Sequence, residues 1–438
     1  MKPTGLLIAT GLLVVAGGTI WWFNKHPQKE TPATPASPAI LSLKEDQIEG
    51  IRIAKTGSEP IVLKKLAGKW VIAEPKQLDA DQDAVKALVT SLAPMTSDRL
   101  IDDRPASVDS FGLASPVVEV DVTLKGGAVN KVLFGGDTPS GSDTYVKVAD
   151  KPAVYTVLTS AKTGFDKSVS DLRDKRLLPF NSDKITAVTV QAKGAPFTFG
   201  KNAQGEWQIT KPSPMRADTS AVDDLVRKLK DAKMDTTAAD DKKSASEFAS
   251  GANIGTVTVT DNSGPFALTL HQAKDKSYYA KTSAIEGAVF KLSGDLGDGI
   301  KDKDADSFRN RKLFDFGFND PTRVEIDGAV YQKSGDKWTG PSGQIDAPSI
   351  QAVIDKLRDL SASKFTDRMV GTQSLVAGVT SGDNHKFEKV VIHKAGEEYQ
   401  AQRDGEPSVY VIESKNYDDL RKAISDIKPY KAPPPAKK

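Results

Sequence analysis

Residues Trp70–Asp81 have the sequence WVIAEPKQLDAD, and residues Trp207–Asp218 have the sequence WQITKPSPMRAD. In both stretches a Pro lies five residues after the Trp, and an Ala-Asp pair ends the stretch eleven residues after it. Such repetition indicates a structural unit that occurs more than once, because every copy must rebuild the same core. We therefore predict that this stretch is part of a repeated fold and is not a binding motif.

A helix is predicted directly after each copy. Four apolar residues recur at the spacing i, i+3, i+4, i+7, which places them on one helical face. The three sets are Val85, Leu88, Val89 and Leu92; Val222, Leu225, Val226 and Leu229; and Ile350, Val353, Ile354 and Leu357. An Asp precedes each set by four residues, at Asp81, Asp218 and Asp346, where a carboxylate can cap the first free N–H groups. The third copy follows Trp338 after a shorter loop.

Short apolar runs precede each Trp, and runs with period-two alternation follow each helix, as in VVEVDVTL (117–124) and FALTL (266–270). These patterns predict antiparallel strands joined by hairpins. The predicted fold class is α+β, with three tandem repeats, each an antiparallel sheet with a packed helix, after one N-terminal transmembrane helix. The expected bounds are 43–181 for repeat 1, 182–317 for repeat 2, 318–430 for a divergent repeat 3, and 431–438 for a disordered tail.

The N-terminus predicts a membrane anchor. The run from Gly5 to Phe23 is uncharged and nineteen residues long, close to the roughly 20 that span a bilayer core. Trp21 and Trp22 lie at its end, where indole rings favour the membrane interface. Residues 1–23 are therefore assigned to the anchor and residues 24–42 to a Pro/Thr/Ala-rich linker. The alternative is a cleavable signal peptide with TPASPA as its cleavage region.

Composition excludes several classes of function. The chain has 60 basic and 58 acidic residues, so its charge gives no electrostatic case for binding nucleic acid. It has no Cys, which excludes disulfides, thiolate metal sites and thiol nucleophiles. We expect neither a cofactor nor an enzymatic activity, since no acid, base and nucleophile assemble in the sequence.

Three further motifs resemble ligand sites but lack essential residues. DADQD (79–83) and DKDAD (302–306) lack the Gly and Glu positions of a calcium loop. GGDTPSG (135–141) lacks the Lys-Ser/Thr pair of a phosphate loop. His385 and His393 flank Glu388 without the two-His spacing of a zinc hydrolase, so no metal site is expected.

Two sets of residues remain as candidates. Trp70, Trp207 and Trp338 are predicted to be buried anchors of the repeats, and the alternative is a platform on which sugars or bases stack. LRDKRLLPF (172–180) and FRNRKLFDF (308–316) each contain two arginines that could contact an anion: Arg173, Arg176, Arg309 and Arg311. The alternative for these segments is a connector between repeats, in which the arginines form internal ion pairs.

The apolar N-terminus, the Trp-Pro-Ala-Asp stretch with its helix, FGLASP (111–116), GGDTPSGSDTYV (135–146) and LRDKRLL (172–178) together resemble the bacterial family called domain of unknown function 4340. The resemblance covers most of residues 43–320. It implies a membrane-anchored extracytoplasmic protein, and some members are encoded beside ABC-transporter auxiliary proteins of the gliding-motility type. It supplies no catalytic residues.

From these observations we expect a non-enzymatic, membrane-anchored interaction or scaffold module, accessory to an ABC-type export complex or another envelope complex. Its expected partners are the bacterial inner membrane, through residues 5–23, and an envelope protein. The bulk of the chain is expected on the periplasmic side. The alternative is an extracytoplasmic protein that binds an anion or a glycan.

Overall fold

A computed structural model describes residues 37–235, 241–293, 295–319, 321–382 and 385–431. Their strands form three nine-stranded sheets in which neighbouring strands are antiparallel. The predicted α+β fold with repeated antiparallel sheets is therefore confirmed. The described residues divide into two compact units, the first ending at Asp174 and the second beginning at Lys175. Within the described ranges no helix is long and apolar enough to cross a membrane, and the predicted anchor at residues 5–23 lies outside them.

Repeat 1 forms the first unit, and its sheet has the order β4-β3-β2-β1-β6-β7-β8-β9-β5. The nine strands are β1 Ile48–Lys55, β2 Ile61–Leu66, β3 Lys69–Glu74, β4 Leu78–Asp79, β5 Arg99–Asp102, β6 Val118–Leu124, β7 Val129–Asp137, β8 Asp143–Val148 and β9 Val154–Leu158. The helices are α1 Gln82–Leu92, α2 Thr159–Phe165 and α3 Val169–Leu172. Helix α1 connects the two edge strands, β4 and β5, and packs its apolar face on the sheet.

Repeat 2 lies in the second unit and has the same strand order, from edge strand β13 to edge strand β14. Its strands are β10 Ala187–Gln191, β11 Phe197–Lys201, β12 Trp207–Lys211, β13 Met215–Arg216, β14 Lys233–Met234, β15 Ala252–Asp261, β16 Gly264–Gln272, β17 Tyr278–Thr282 and β18 Val289–Ser293. Its helices are α4 Thr219–Asp231, α5 Asp241–Ser250 and α6 Leu296–Ile300. Helix α4 occupies the position that α1 has in repeat 1.

Repeat 3 also lies in the second unit and repeats the order from edge strand β22 to edge strand β23. Its strands are β19 Pro321–Ile326, β20 Ala329–Ser334, β21 Lys337–Gly340, β22 Gly343–Ile345, β23 Lys364–Thr366, β24 Thr372–Ser381, β25 Lys386–Ala395, β26 Glu398–Arg403 and β27 Val409–Ile412. Its helices are α7 Ala347–Asp359 and α8 Ser414–Ser425, which pack on the core face of the sheet.

The segment LRDKRLLPF, which we call the first connector, closes one repeat and opens the next. In the first unit, the N–H of Asp81 donates to the carbonyl of Leu172 over 2.8 Å, next to edge strand β4. In the second unit, the N–H of Leu177 donates to the carbonyl of Ala232 over 3.0 Å, next to edge strand β14. The first half of the connector therefore extends one sheet edge, and the second half extends another.

The segment FRNRKLFDF, which we call the second connector, makes the same pattern inside the second unit. The N–H of Asp218 donates to Phe308, and the N–H of Leu313 donates to Leu360, over 2.8 and 3.0 Å. Phe308 is buried in the core of repeat 2, whereas Leu313 is buried in the core of repeat 3.

These connectors correct the expected boundaries. The boundaries expected after residues 181 and 317 are misplaced, because the apolar second half of each connector packs into the following core. The linker expected over residues 24–42 also ends earlier. Ile40 and Leu41 are buried in the core of repeat 1, and both backbone N–H groups donate to the carbonyl of Met95. Of the tail expected at 431–438, only residue 431 lies within the described part.

Candidate functional site

A cleft with a volume of about 600 Å³ lies between repeats 2 and 3, within the second unit. Edge strand β13 of repeat 2, the second connector, and the turn between β26 and β27 of repeat 3 form its walls. Edge strand β13 ends at Arg216, two residues before the helix cap Asp218, and Arg216 lines the cleft.

Arg216 is the centre of this site, and its side chain is only 17% exposed. Its Nε lies 2.9 Å from a carboxylate oxygen of Glu406, and its Nη1 lies 2.5 Å from one of Asp315. Its Nη2 donates to the Tyr410 hydroxyl over 2.9 Å and also to the carbonyl of Lys312. The guanidinium of repeat 2 is therefore held by acceptors from the second connector and from repeat 3.

The electrostatics favour the charged form of this arginine. Burial opposes the charge, but the attraction of Asp315, Tyr410 and Glu406 outweighs it and raises the pKa of Arg216 above its ordinary value. Burial also raises the pKa of the Tyr410 hydroxyl, which therefore stays protonated and donates to Glu406 over 2.9 Å.

A second arginine continues the arrangement inside repeat 3. Arg403 on β26 lies 2.9 Å from Glu388 on β25 and 2.7 Å from Glu406, and it donates to the carbonyl of Leu313. The Glu388 side chain is 2% exposed and also accepts from the backbone N–H of Asp315 over 3.1 Å. We call Arg216, Asp315, Glu388, Arg403 and Glu406 the inter-repeat charge network.

The network is internally neutralised. Lys386 lies at its rim, 3.5 Å from Glu388, so three cations face three carboxylates. A buried ion pair adds little stability over an apolar contact, but losing one partner is costly because a buried charge remains. The arrangement can thus fix how repeat 3 meets repeat 2, but it leaves neither of its arginines unpaired to receive an anion.

The residues that the sequence placed as repeat anchors occupy equivalent positions. Asp81, Asp218 and Asp346 are the N-caps of α1, α4 and α7, and each accepts from a backbone N–H at 3.0–3.2 Å. Trp70, Trp207 and Trp338 are buried on β3, β12 and β21.

The cleft reaches one of these tryptophans but does not expose its ring. Trp207 lines the cleft, yet the residue is buried, and its Nε1 donates to Asp223 on α4 over 2.7 Å. The ammonium of Lys201 lies 4.9 Å from the ring centroid. Stacking on a sugar or a base requires an accessible ring face, and this indole is instead used in packing.

Two of the four candidate arginines lie in the second connector and contact repeat 3. Arg309 stacks on Phe365 of repeat 3, with 3.5 Å from its guanidinium carbon to the ring centroid, and its Nη1 lies 3.0 Å from Asp306. Arg311 lies 5.4 Å from the same ring and donates to the carbonyl of Ser363.

The other two arginines lie in the first connector. The backbone of Arg173 forms a β-bridge with Ala80 in the first unit, and that of Arg176 bridges Lys233 in the second. Both residues also have further interaction partners. Within the described ranges, no group of three or more His, Asp and Glu side chains could hold a metal ion.

The inter-repeat charge network was not predicted from the sequence, although the sequence contains a signal for it. Glu388 alternates with the buried Val390 and Ile392, so its position on β25 faces the core. Arg403 has the same relation to Tyr399 and Ala401 on β26. A charged residue at a core-facing strand position requires a partner, because burying an unpaired charge is prohibitive.

The family model described as Domain of unknown function (DUF4340) matches the chain twice, at residues 70–207 and 207–378, and the chain belongs to this family. The first match begins at Trp70 and ends at Trp207, where the second begins, and the second continues past Trp338 into repeat 3. No curated protein and no solved structure matches the chain. The resemblance found in the sequence is confirmed at the level of the family, whose function is unknown.

Proposed function

Since the family supplies no activity, we propose from the residues that the chain is a non-enzymatic interaction module, anchored in the bacterial inner membrane and extending on its extracytoplasmic side. The apolar run at residues 5–23 supports the anchor, because its length suits a bilayer core. Three repeats with separate cores support a scaffold, because tandem units multiply surface for partners without requiring a catalytic centre.

The observation that carries the proposal is how the buried cations are used. Arg216 and Arg403 are bound by Asp315, Glu388 and Glu406, and Arg309 lies over a ring of the next repeat. The contacts of Arg216 and Arg309 join repeat 2 and the second connector to repeat 3, whereas those of Arg403 lie within repeat 3 and its connector. Side chains that would receive a ligand in a binding protein instead hold repeats 2 and 3 in a defined arrangement, as a scaffold requires.

The partner class we propose is an envelope protein complex. The family resemblance makes the auxiliary subunits of an ABC-type exporter the first candidates to test. Because the chain contains no Cys, a crosslinker can be attached at single introduced cysteines. Suitable positions are Phe387 and Val370 in repeat 3 and Leu158 in repeat 1, all of which are exposed.

The experiment labels these three full-length variants in intact membranes and identifies the adducts by mass spectrometry. We expect specific envelope proteins to be captured from some positions and not from others, because a docking surface occupies one part of the body. Recovery of the chain alone from every position, while it remains in the membrane fraction, would overturn the scaffold proposal.

Orientation is tested by protease added outside spheroplasts. We expect cleavage before Pro38, because the backbone from Pro38 onward is hydrogen-bonded to repeat 1 through Ser97 and Met95. The released body should be soluble. Repeats that stay protected until the membrane is broken would contradict the extracytoplasmic orientation, and a mature N-terminus in the linker would favour a cleaved signal peptide.

A second candidate is the binding of an anion or a glycan in the cleft between repeats 2 and 3. Its volume of about 600 Å³ lies within the usual range for small-ligand sites, and Lys386 at its rim is half exposed. Inorganic phosphate and a chitin oligosaccharide are suitable probes in a thermal-shift assay. A saturable shift that Lys386→Ala abolishes would favour this candidate, whereas no shift with either probe supports the scaffold.

A further inference from the structure

Three hairpin turns lie at the same end of the sheet in repeat 1, and two of them, between β2 and β3 and between β6 and β7, flank the start of β1. Residues 64–69 comprise the end of β2, the turn at 67–68 and the start of β3. Residues 125–129 comprise the turn between β6 and β7 and the first residue of β7. Strand β1 begins between them, since Gly50 pairs with Lys64 on one side and Ile48 pairs with Leu124 on the other. Three strand spacings separate β2 from β7, so the two turns are about 14 Å apart. We call residues 44–49, 64–69 and 125–129 the turn end of repeat 1.

Both turns expose apolar side chains at their tips. Leu66 is 50% exposed and Val129 is 56% exposed, and Ala67 and Ala128 beside them are exposed as well. Neither Leu66 nor Val129 belongs to the core of repeat 1, whose buried residues near this end include Ile48, Leu63 and Trp70. Apolar tips on adjacent turns form a shallow surface that could enter the interfacial region of a bilayer.

Lysines surround the apolar tips. Five exposed lysines belong to the turn end, and within the described part of the chain none of them forms an ion pair: Lys44, Lys64, Lys65, Lys69 and Lys125. Three exposed acidic residues lie between the turns: Glu45, Asp46 and Glu49. Five cations against three anions leave a net charge of +2. The surface is therefore basic, but weakly so.

The N-terminal segment of the chain favours a lipid bilayer as the partner of this surface. Fourteen residues, 24–37, separate the apolar run at 5–23 from the first hydrogen-bonded residues of repeat 1, so the chain can span at most about 50 Å. A tether of this length holds repeat 1 near the bilayer at an effective concentration on the order of millimolar. Under that condition even a weak attraction between lysines and an anionic leaflet keeps the surface occupied.

We propose that the turn end of repeat 1 lies on the headgroups of an anionic lipid bilayer, with Leu66 and Val129 in the interfacial region and the lysines facing the lipid phosphates. The inference rests on the proposed function, since the anchor supplies the tether. It adds a defined orientation, in which the turn end of repeat 1 contacts the membrane. The C-terminal end of β9 then lies at the opposite end of the sheet, away from the bilayer.

The test places one fluorophore at a time on the full-length chain, which has no Cys of its own. Leu66→Cys and Val129→Cys report on the turn end. Leu158→Cys is the matched control, because Leu158 is 55% exposed and pairs with Asp143 at the opposite end of the sheet. Each labelled chain is reconstituted into vesicles of phosphatidylcholine with about 30% phosphatidylglycerol as the anionic lipid, and with a headgroup spin label as quencher.

We expect quenching at positions 66 and 129 to exceed that at position 158 by about twofold or more, because quenching requires contact with the headgroups. The excess should fall in about 0.5 M salt, where charges are screened within a few ångströms. It should also fall in the variant Lys64→Glu/Lys125→Glu, whose substitutions lie on exposed turns and whose melting temperature serves as the folding control.

Each other outcome counts against a specific claim. If the labelled chain fails to float with the vesicles, the anchor and the proposed function fail. If it floats but all three positions are quenched equally, the bilayer-contact surface is refuted while the anchor stands. Excess quenching that is the same in pure phosphatidylcholine, at high salt and in the double variant would refute the role of anionic lipid.

Discussion

Replacing Arg216 by Ala should destabilise the contact between repeats 2 and 3. The substitution leaves Asp315 and Glu406 without the guanidinium that lies 2.5 and 2.9 Å from them. It also removes the donor to the Tyr410 hydroxyl and to the carbonyl of Lys312. Helix α4 begins three residues later and keeps its own cap, so the loss should act through the charge network and not through local helix stability.

The magnitude follows from how well the remaining charges are compensated. Removing one partner of a buried ion pair costs about 3–5 kcal/mol when the other partner stays buried and unpaired. After the substitution Arg403 remains 2.7 Å from Glu406 and 3.5 Å from Asp315, and both carboxylates are partly solvated. We therefore expect a loss of about 2–3 kcal/mol in the free energy of unfolding.

Hydrogen exchange followed by mass spectrometry suits this prediction, because a chain with three cores need not unfold in one two-state step. A loss of about 2–3 kcal/mol in the free energy of opening lowers the hydrogen-exchange protection factor by about 30- to 150-fold. We expect this decrease in peptides that exchange only when the second unit opens. Peptides from repeat 1 provide an internal control in the same sample, since they belong to the first unit.

Arg227→Ala is the matched control variant. Arg227 is exposed on α4 and pairs with Asp224 over 2.5 Å, an arrangement that typically contributes well under about 1 kcal/mol. If Arg216→Ala changes protection no more than Arg227→Ala does, the inter-repeat charge network does not hold the two repeats, and the scaffold proposal loses its main support.

Three further predictions concern single repeats. Trp207→Ala should lower the free energy of unfolding of repeat 2 by about 3–5 kcal/mol, as for other large buried aromatic residues. Hydrogen exchange in repeat 1 should not change. A loss below about 0.5 kcal/mol would mean that the indole is exposed. A hydrogen bond from Lys131 holds the pKa of Glu119 below its ordinary value of 4.5, so this pair adds stability that is present above that value and is lost as the pH falls through the folded-state pKa. Lys131→Met should raise the pKa of Glu119 in an NMR titration, and an unchanged titration would contradict the assigned cause. Gly135→Ala should destabilise repeat 1 by about 1–3 kcal/mol in the exchange assay, because a Cβ there would overlap the backbone carbonyl of residue 111; unchanged protection would show that the loop can shift.

Much of the fold could be predicted because its signals are local. The apolar spacing after Asp81 and Asp346 predicts which face of the helix is buried, and the capping Asp predicts where the helix begins. The helices begin at Gln82 and Ala347, directly after these residues. Helix α5 gave no such signal. Its sequence, DKKSASEFAS, has one large apolar residue, Phe248, which packs with Tyr279 on a separate small cluster.

The candidate site was far less accessible from the sequence, because its contacts are non-local. Arg216 and Glu406 are 190 residues apart, and their meeting depends on how two repeats approach each other. The connectors had a related difficulty. Their apolar residues predict burial, but the sequence does not state which of two neighbouring cores receives Leu177 or Leu313.

The two connectors make the chain divisible at defined points. Asp174 and Asn310 are the last residues of the halves that close repeats 1 and 2, while Lys175 and Arg311 begin the halves that open repeats 2 and 3. Joining Asp174 directly to Arg311 would create a hybrid segment, LRDRKLF, in which every backbone hydrogen bond keeps its donor and its acceptor. Shortening the protein by one whole repeat therefore needs no designed linker, and gene duplication between the same two points would lengthen it. In this architecture the number of folded cores in one chain can therefore change by the gain or loss of one whole repeat at a time.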